Sequence, residues 1–248
     1  MAPPLRSLSA FFPVRDEEDT VVPVAEAILA SVSTVADWTE VIVVDDGSRD
    51  RTAERADALA RTHGSVRVVR HDAGRGYGAA VRTGLAAARG EWVFFTDGDG
   101  QFDPSEIADL VAHATEADVV VGFRRRRSDR LVRRVNGAGW NLLVRLVLGL
   151  RIRDVNCAFK LFRRSALAGI DLTSDGAALS AELVMRLVQG GHRIVEIPVR
   201  HHPRRAGAAS GGRPRVIGRA LVELLRIVLR LRREARERRT SALAATTR

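Results

Sequence analysis

Three short apolar runs each end in acids and each lead into a helical pattern, and this repetition constrains the fold most tightly. The first is Leu8-Ser-Ala-Phe-Phe-Pro13-Val14, followed by Arg15-Asp16-Glu17-Glu18. The second is Val41-Ile-Val-Val44, followed by Asp45-Asp46-Gly47-Ser48. The third is Trp92-Val-Phe-Phe-Thr96, followed by Asp97-Gly98-Asp99-Gly100-Gln101. Unbroken β-branched or aromatic runs read as strands covered on both faces, as in a parallel sheet. Their alternation with helices points to a doubly wound α/β sheet. Such open sheets bind ligands beyond the carboxyl ends of their strands, so the acids fall on one functional edge.

The acids carry chemistry. Asp97 and Asp99 stand one residue apart and repel each other unless a cation joins them. A hard divalent ion takes one or two carboxylates and fills its shell with substrate phosphate oxygens. A polar turn would account for an isolated Asp-x-Asp, but not for three acidic strand ends. Asp50 or Ser48 can cap the helix after the second run, which explains one acid there and not Asp45 and Asp46 together. For Glu17 and Glu18, helix-start electrostatics is the competing reading; function is favoured for Glu17, and both readings stand for Glu18.

The remaining pattern gives the layout. Strands are expected at Leu8–Val14, Glu40–Val44, Val66–Arg70, Glu91–Thr96 and Asp118–Gly122, with helices over Thr20–Val35 and Asp50–Thr62. The loop Ala73-Gly74-Arg75-Gly76-Tyr77-Gly78 reads as a tight turn into a helix reaching Arg89, with Arg75 a candidate to approach a phosphate. Pro104 opens another helix. The second half is less regular: a strand at Ala158–Phe162, a helix at Leu179–Gln189, and a strand at Arg193–Val199. An amphipathic helix is expected from Pro214 to about Arg236. One domain over 1–230 and a basic, disordered tail over 231–248 follow.

Composition limits the alternatives. A chain of 248 residues with 46% apolar content supports one domain with a sizeable core. No amino-terminal stretch has signal-peptide form, and the longest apolar stretch, Leu142–Leu150, is broken by Arg145 and too short to span a bilayer. A lone cysteine, Cys157, excludes an internal disulfide and fits a reducing, cytoplasmic setting, where it serves as a small buried hydrophobe. Adjacent His201 and His202 cannot share one face, so no zinc site is expected. The net charge of +10 attracts phosphates, anionic lipid or nucleic acid. A nucleic-acid-binding role is disfavoured: aromatics are 5% of residues, no reading module is present, and the acidic strand ends would repel phosphates without a metal.

In chain order, Pro13-Val-Arg-Asp-Glu-Glu18, Val44-Asp-Asp-Gly-Ser48 and Asp97-Gly-Asp-Gly-Gln-Phe-Asp-Pro104 resemble the motifs of family 2 glycosyltransferases with a GT-A fold. Gly122-Phe-Arg124, Asp154-Val-Asn-Cys-Ala-Phe-Lys160-Leu-Phe-Arg163 and Glu196-Ile-Pro-Val-Arg-His-His-Pro-Arg204 are similar to the dolichyl-phosphate mannose synthase branch, which includes polyprenyl-phosphate glucosyl transfer. The resemblance spans roughly residues 8 to 225. It departs at Arg15-Asp16, where the family has Tyr-Asn, and at His71 to Gly76, where it has Asn-x-Gly-Lys-Gly.

The resemblance implies a metal-dependent, inverting transfer of mannose or glucose from GDP-mannose or UDP-glucose to a polyprenyl phosphate. A soluble hydroxyl or phosphate acceptor is the alternative. It implies donor contacts from Pro13, Val14, Arg15, Glu17, Asp46, Gly76, Asp97, Gly98 and Asp99. Mg²⁺ or Mn²⁺ would be held by Asp97, Asp99 and Gln101. A phosphate acceptor is already largely a dianion and needs cations more than a base. Arg124, Arg134 and Arg204 match the acceptor and diphosphate contacts, with Arg133 and Arg205 as competing neighbours. Lys160 lies in an apolar strand, where a charge must be paired, and matches a lysine near the diphosphate. Glu182 is expected to orient an arginine or the sugar, or to act as base toward a hydroxyl. Apolar stripes at Trp140, Leu143, Val144, Val147 and Leu148, and from Val216 to Leu229, carry arginine flanks and imply peripheral contact with an anionic membrane surface. The oligomeric state is left open.

Overall fold

Strand β1 (Leu5–Val14) is an inner strand of the sheet because both its faces are apolar: Leu8, Ala10, Phe11 and Phe12 are all fully buried. It pairs in parallel with β2 (Ala36–Asp45) on one side and β4 (Trp92–Thr96) on the other, and β2 pairs in parallel with β3 (Val66–Arg70). Helices α1 (Val21–Val32), α2 (Thr52–Thr62) and α3 (Tyr77–Ala87) make the crossovers, as parallel pairing requires. Beyond β4 come α4 (Ile107–Val111), β5 (Val119–Arg124), α5 (Leu131–Leu148), β6 (Phe159–Arg163), α6 (Leu179–Gln189), β7 (Ile194–Val199) and α7 (Pro214–Thr246). This computed structural model describes residues 4–125, 131–204 and 214–246, without the side chains of 131–135, 214–215, 235, 238–239 and 241–246.

The sheet order is β3-β2-β1-β4-β6-β5-β7. All pairs are parallel except those of β6, which runs against both β4 and β5. The reversal has a functional consequence. It sets the start of β6 beside the carboxyl ends of its neighbours, with Phe159 opposite Thr96 and Lys160 opposite Val121. The segment 154–158 is thereby delivered to the acidic edge.

The main core joins Phe11 and Phe95, stacked 5.0 Å apart, with Phe94 set edge-on to Phe159 at 4.8 Å. Each such ring contributes roughly 1.5–3 kcal/mol on burial. A second apolar cluster joins Val144 and Leu148 of α5, Ala181 and Val184 of α6, and Leu224 and Ile227 of α7.

Several expected boundaries change, among them the start of β1, which lies at Leu5 and not Leu8. Strand β2 starts at Ala36, not Glu40, and α1 ends at Val32, because Ala36 and Trp38 pair with Leu5 and Ser7 of β1. That pairing is a tertiary contact invisible in the local pattern. The tail expected to be disordered is helical through Thr246, so α7 runs past Arg236. Pairs four residues apart, Arg230 with Glu234 at 3.0 Å and Arg233 with Glu237 at 2.8 Å, and the alanine-rich end support it. Residues 247 and 248 lie outside the described ones.

Candidate active site

Asp97 and Asp99 leave β4 on a turn packed directly on the end of β1. A Cβ on Gly98 would come 2.6 Å from a Val14 methyl and 2.8 Å from the Pro13 carbonyl, so glycine is required for this close approach. Thr20 fixes the same turn by donating to the Gly98 carbonyl at 2.9 Å. Pro13 and Val14 thus form the floor beneath the two acids.

Each acid has a partner from a distant element. The Tyr77 hydroxyl, at the start of α3, donates to Oδ1 of Asp97 at 2.9 Å. The Arg204 guanidinium lies 3.8 Å from the Asp99 carboxylate and donates to Glu17. Gln101 carries Arg204 there: its side-chain amide donates to the His202 carbonyl at 2.9 Å, and His202 N–H donates back to the Gln101 carbonyl at 2.7 Å. Burial, and next the charge of Asp99, raise Asp97 from the ordinary carboxylate range to about 7. Burial also raises Glu17, against the opposing effect of Arg204. Desolvation pushes the Tyr77 hydroxyl well above its usual value, so it stays a donor at neutral pH.

The β6 side supplies the cations. Arg124 grips Asp154 with two hydrogen bonds of 2.6 and 2.8 Å. Lys160 is fully buried, and its ammonium donates to the carbonyls of Val155, at 3.2 Å, and Cys157. Burial lowers its pKa. Its visible contacts hold the 155–157 segment. Burial raises the Cys157 thiol to about 12, which removes it as a nucleophile.

The glycine loop forms the third wall. Both oxygens of Asp46 are engaged within the protein, accepting from the N–H groups of Arg75 at 2.8 Å and Gly76 at 2.9 Å, with His71 at 2.7 Å. Gly76 has a φ of 103°, which favours glycine. The guanidinium of Arg15 lies 3.7 Å from Asp46 and against Gly74. Arg15, Asp46 and Gly76 are therefore brought together, with Asp46 as the clamp on the loop that presents Tyr77.

Glu182 is fully buried and holds the loop at Thr173 and Ser174, accepting from Ser174 N–H at 2.9 Å and the Thr173 hydroxyl at 2.9 Å. Next along that loop, the Asp175 carbonyl receives Gly78 N–H at 2.8 Å, and Arg82 donates to Ser174 and Asp175. Glu182 thus supports the start of α3 from behind, and its contacts do not reach the two strand-end acids. The side chains of Arg133 and Arg134, and residue Arg205, lie outside the described residues.

Sequence reasoning missed Tyr77 as a partner of Asp97 and Asp154 as the partner of Arg124. One signal was available: Tyr77 is the only tyrosine of the chain and sits between two glycines of the loop. Among the described residues no three His, Cys, Asp or Glu side chains gather into a metal cluster. Two carboxylates at one strand end still fit a hard divalent ion that takes its other ligands from a diphosphate and water. Burial raises Asp97 most, and the Asp99 charge that adds to it is what such an ion relieves.

The family model described as Glycosyl transferase family 2 matches residues 9–170. Dodecaprenyl-phosphate galacturonate synthase of Rhizobium johnstonii is 31% identical over 92% of this chain and 68% of its own. Undecaprenyl-phosphate mannosyltransferase of Micrococcus luteus is 32% identical over 75% of this chain and 81% of its own. The solved structure of glucosyl-3-phosphoglycerate synthase from Mycobacterium tuberculosis, in complex with Mn²⁺, UDP-glucose and phosphoglyceric acid, superposes with a TM-score of 0.66 at 22% identity, covering 90% of this chain and 80% of that one.

Proposed function

Because this chain belongs to glycosyl transferase family 2, we propose that it transfers a hexose-class sugar from a nucleotide sugar to a polyprenyl phosphate, with inversion at the anomeric carbon. One observation carries the reading: paired strand-end acids stand beside an arginine, with Arg204 3.8 Å from Asp99, at the edge to which β5 brings Arg124 and β6 brings Lys160. Acids suit the metal-bound donor and arginines suit the phosphates. Relatives named for transfer of galacturonate, mannose or 4-deoxy-4-formamido-L-arabinose to polyprenyl phosphates support the acceptor class and leave the sugar open.

The chemistry follows from charge. An acceptor phosphate oxygen attacks the anomeric carbon, the bond to the donor diphosphate breaks, and a nucleoside diphosphate leaves. A divalent ion on Asp97 and Asp99, Mg²⁺ or Mn²⁺, would offset the charge growing on that diphosphate. Arg204, which donates to Glu17, would orient phosphate oxygens with its planar fork. No general base is needed, because the attacking phosphate is already ionised. The engagement of Glu182 in the 173–174 loop agrees with that.

Membrane contact is part of the proposal. Leu142 and Leu146 of α5, and Leu221, Val222, Leu225 and Leu229 of α7, are exposed, and arginines flank them. No helix among the described residues is long and apolar enough to cross a membrane. Such helices lie in the interface and hold by apolar area plus attraction to anionic lipid.

The test is product analysis by mass spectrometry, with UDP- and GDP-linked glucose, mannose and galacturonate offered alongside a short polyprenyl phosphate and phosphoglycerate. A glycosyl-phosphoryl-polyprenol product is expected. Transfer to phosphoglycerate with none to the lipid phosphate would overturn the reading.

A further inference from the structure

The edge of the sheet opposite the acids carries a second basic feature that sugar transfer does not use. Because β6 runs backwards, its carboxyl end lies beside the amino end of β4, with Arg163 opposite Trp92. The start of β1 and the end of α3 arrive at the same place. Together they line a cleft of about 410 Å³ with Arg6, Ser7, Arg89, Glu91, Arg163 and Arg164 among its walls. Strand β4 has five residues, so the cleft and the acids are separated by roughly 15 Å.

The guanidinia there are not alike. Arg163 is committed: it lies over the Trp92 ring at 4.5 Å and pairs with Glu91 at 3.3 Å. Arg164 spends one nitrogen on the Gly90 carbonyl at 2.8 Å. Arg6, Arg89 and Arg164 have no carboxylate within ion-pair distance among the described residues, and Glu91, the acid in the wall, is already taken by Arg163. Elsewhere some arginines are paired, as with Arg67 and Glu40 at 2.8 Å and Arg70 and Asp57 at 3.0 Å; what sets these three apart is that they share one concavity. Three guanidinia that line one concavity without a carboxylate partner among the described residues can each offer a charge-assisted hydrogen bond to a multiply charged oxyanion seated there. The scaffold beneath is rigid: Ser7 receives Glu91 N–H at 2.9 Å, and Ser9 receives Gly90 N–H at 2.7 Å.

We propose that this cleft is a second anion site, taking a phosphate-class ligand of two or more charges through Arg6, Arg89 and Arg164, separate from the donor and acceptor site. Its chemistry suits a free di- or polyphosphate and a phospholipid headgroup alike. The experiment separates the two sources.

Calorimetric titration of the full chain with inorganic pyrophosphate, in EDTA so that no metal-bound site competes, is expected to show saturable binding that weakens with salt. The Arg6→Ala/Arg89→Ala double variant should bind roughly 10–100-fold more weakly. A control that removes the same charge elsewhere, Arg61→Ala/Arg226→Ala, should bind as the parent does. Both arginines of the pair are exposed and unpartnered among the described residues, so folding should be unchanged, and a melting curve checks this. Arg164→Ala provides an independent second variant with the same expected direction. Competition with monomeric short-chain phosphatidylglycerol, which needs no membrane contact by α5 or α7, assigns the source: displacement of pyrophosphate that is lost in the Arg6/Arg89 variant points to a lipid headgroup, and no displacement to a free phosphate. Equal pyrophosphate affinity in the parent, the double variant and the control, or no saturable binding at low ionic strength, would overturn the proposal.

Discussion

The hydroxyl of Tyr77 donates to Oδ1 of Asp97 at 2.9 Å, joining the first turn of α3 to the end of β4 across the candidate metal site. The tyrosine is fixed from both sides. Asp46 holds the N–H of Gly76 before it, and the Asp175 carbonyl holds the N–H of Gly78 after it. Its ring leans on Phe95 at 6.5 Å. Partners that orient a ligating carboxylate typically control affinity by 10–100-fold.

Tyr77→Phe removes the hydroxyl and keeps the ring contact with Phe95. Mn²⁺ affinity, read by electron paramagnetic resonance or calorimetry, should fall roughly 10–100-fold. The melting temperature should move little. Unchanged Mn²⁺ affinity would show that the tyrosine does not orient the carboxylate.

The raised pKa of Asp97 fixes a pH dependence and its sign. In the unfolded chain this carboxyl ionises near 3.8; in the folded chain it holds its proton up to about 7. Its contribution to stability is therefore complete below about pH 4 and is lost as pH rises to about 7. Metal-free protein should lose stability over that window, and Asp97→Asn should flatten the loss. Mn²⁺ must displace the proton below pH 7, so its affinity should climb toward neutrality and then level off. Melting and metal titrations from pH 4 to 8 check both arms.

Lys160 ties the 155–157 segment to the sheet from within. Lys160→Met leaves the Val155 and Cys157 carbonyls without their donor and should cost about 2–5 kcal/mol of stability along with most activity. Lys160→Arg should not restore it, because a larger planar fork has no room in a fully buried position. Denaturant unfolding of the two variants decides this. Full stability with lost turnover would instead mark the lysine as a direct phosphate contact.

Gly78 is a packing constraint as much as a helix start. A Cβ there would come 2.6 Å from backbone atoms of Ser174 and Asp175. Gly78→Ala should therefore part α3 from the 174–175 segment, lower the melting temperature by several degrees, and weaken Mn²⁺ binding through Tyr77. An alanine variant with parent-like melting and metal affinity would show that the contact yields freely.

The existence of the first four strands was legible from their β-branched or aromatic residues, and Val66–Arg70 falls where the pattern puts it, but the starts of β1 and β2 were not, because Leu5 and Ala36 enter the sheet by pairing with each other. Asp97 and Asp99 stand together at the strand end where the sequence pattern puts them, whereas the sequence left Arg204 and Arg205 as alternatives. The direction of β6 was not: a five-residue strand reads the same whether it runs with or against its neighbours, and only the sheet order reveals that Asp154 and Lys160 reach the acids' edge. The work of Asp46 and Glu182 was hidden for a similar reason. Their partners are backbone N–H groups of loops, and no residue type in the sequence marks them. The Tyr77 and Asp97 contact spans 20 residues and two elements, so only the fold discloses it.

The most direct test of the account is transfer of labelled sugar to a short polyprenyl phosphate, measured in Mn²⁺, in excess EDTA, and with Asp99→Asn. The account predicts a lipid-linked sugar phosphate in Mn²⁺, loss of turnover in EDTA that added metal restores, and loss in Asp99→Asn that added metal does not restore. Full turnover in EDTA, or an Asp99→Asn enzyme as active as the parent, would contradict it.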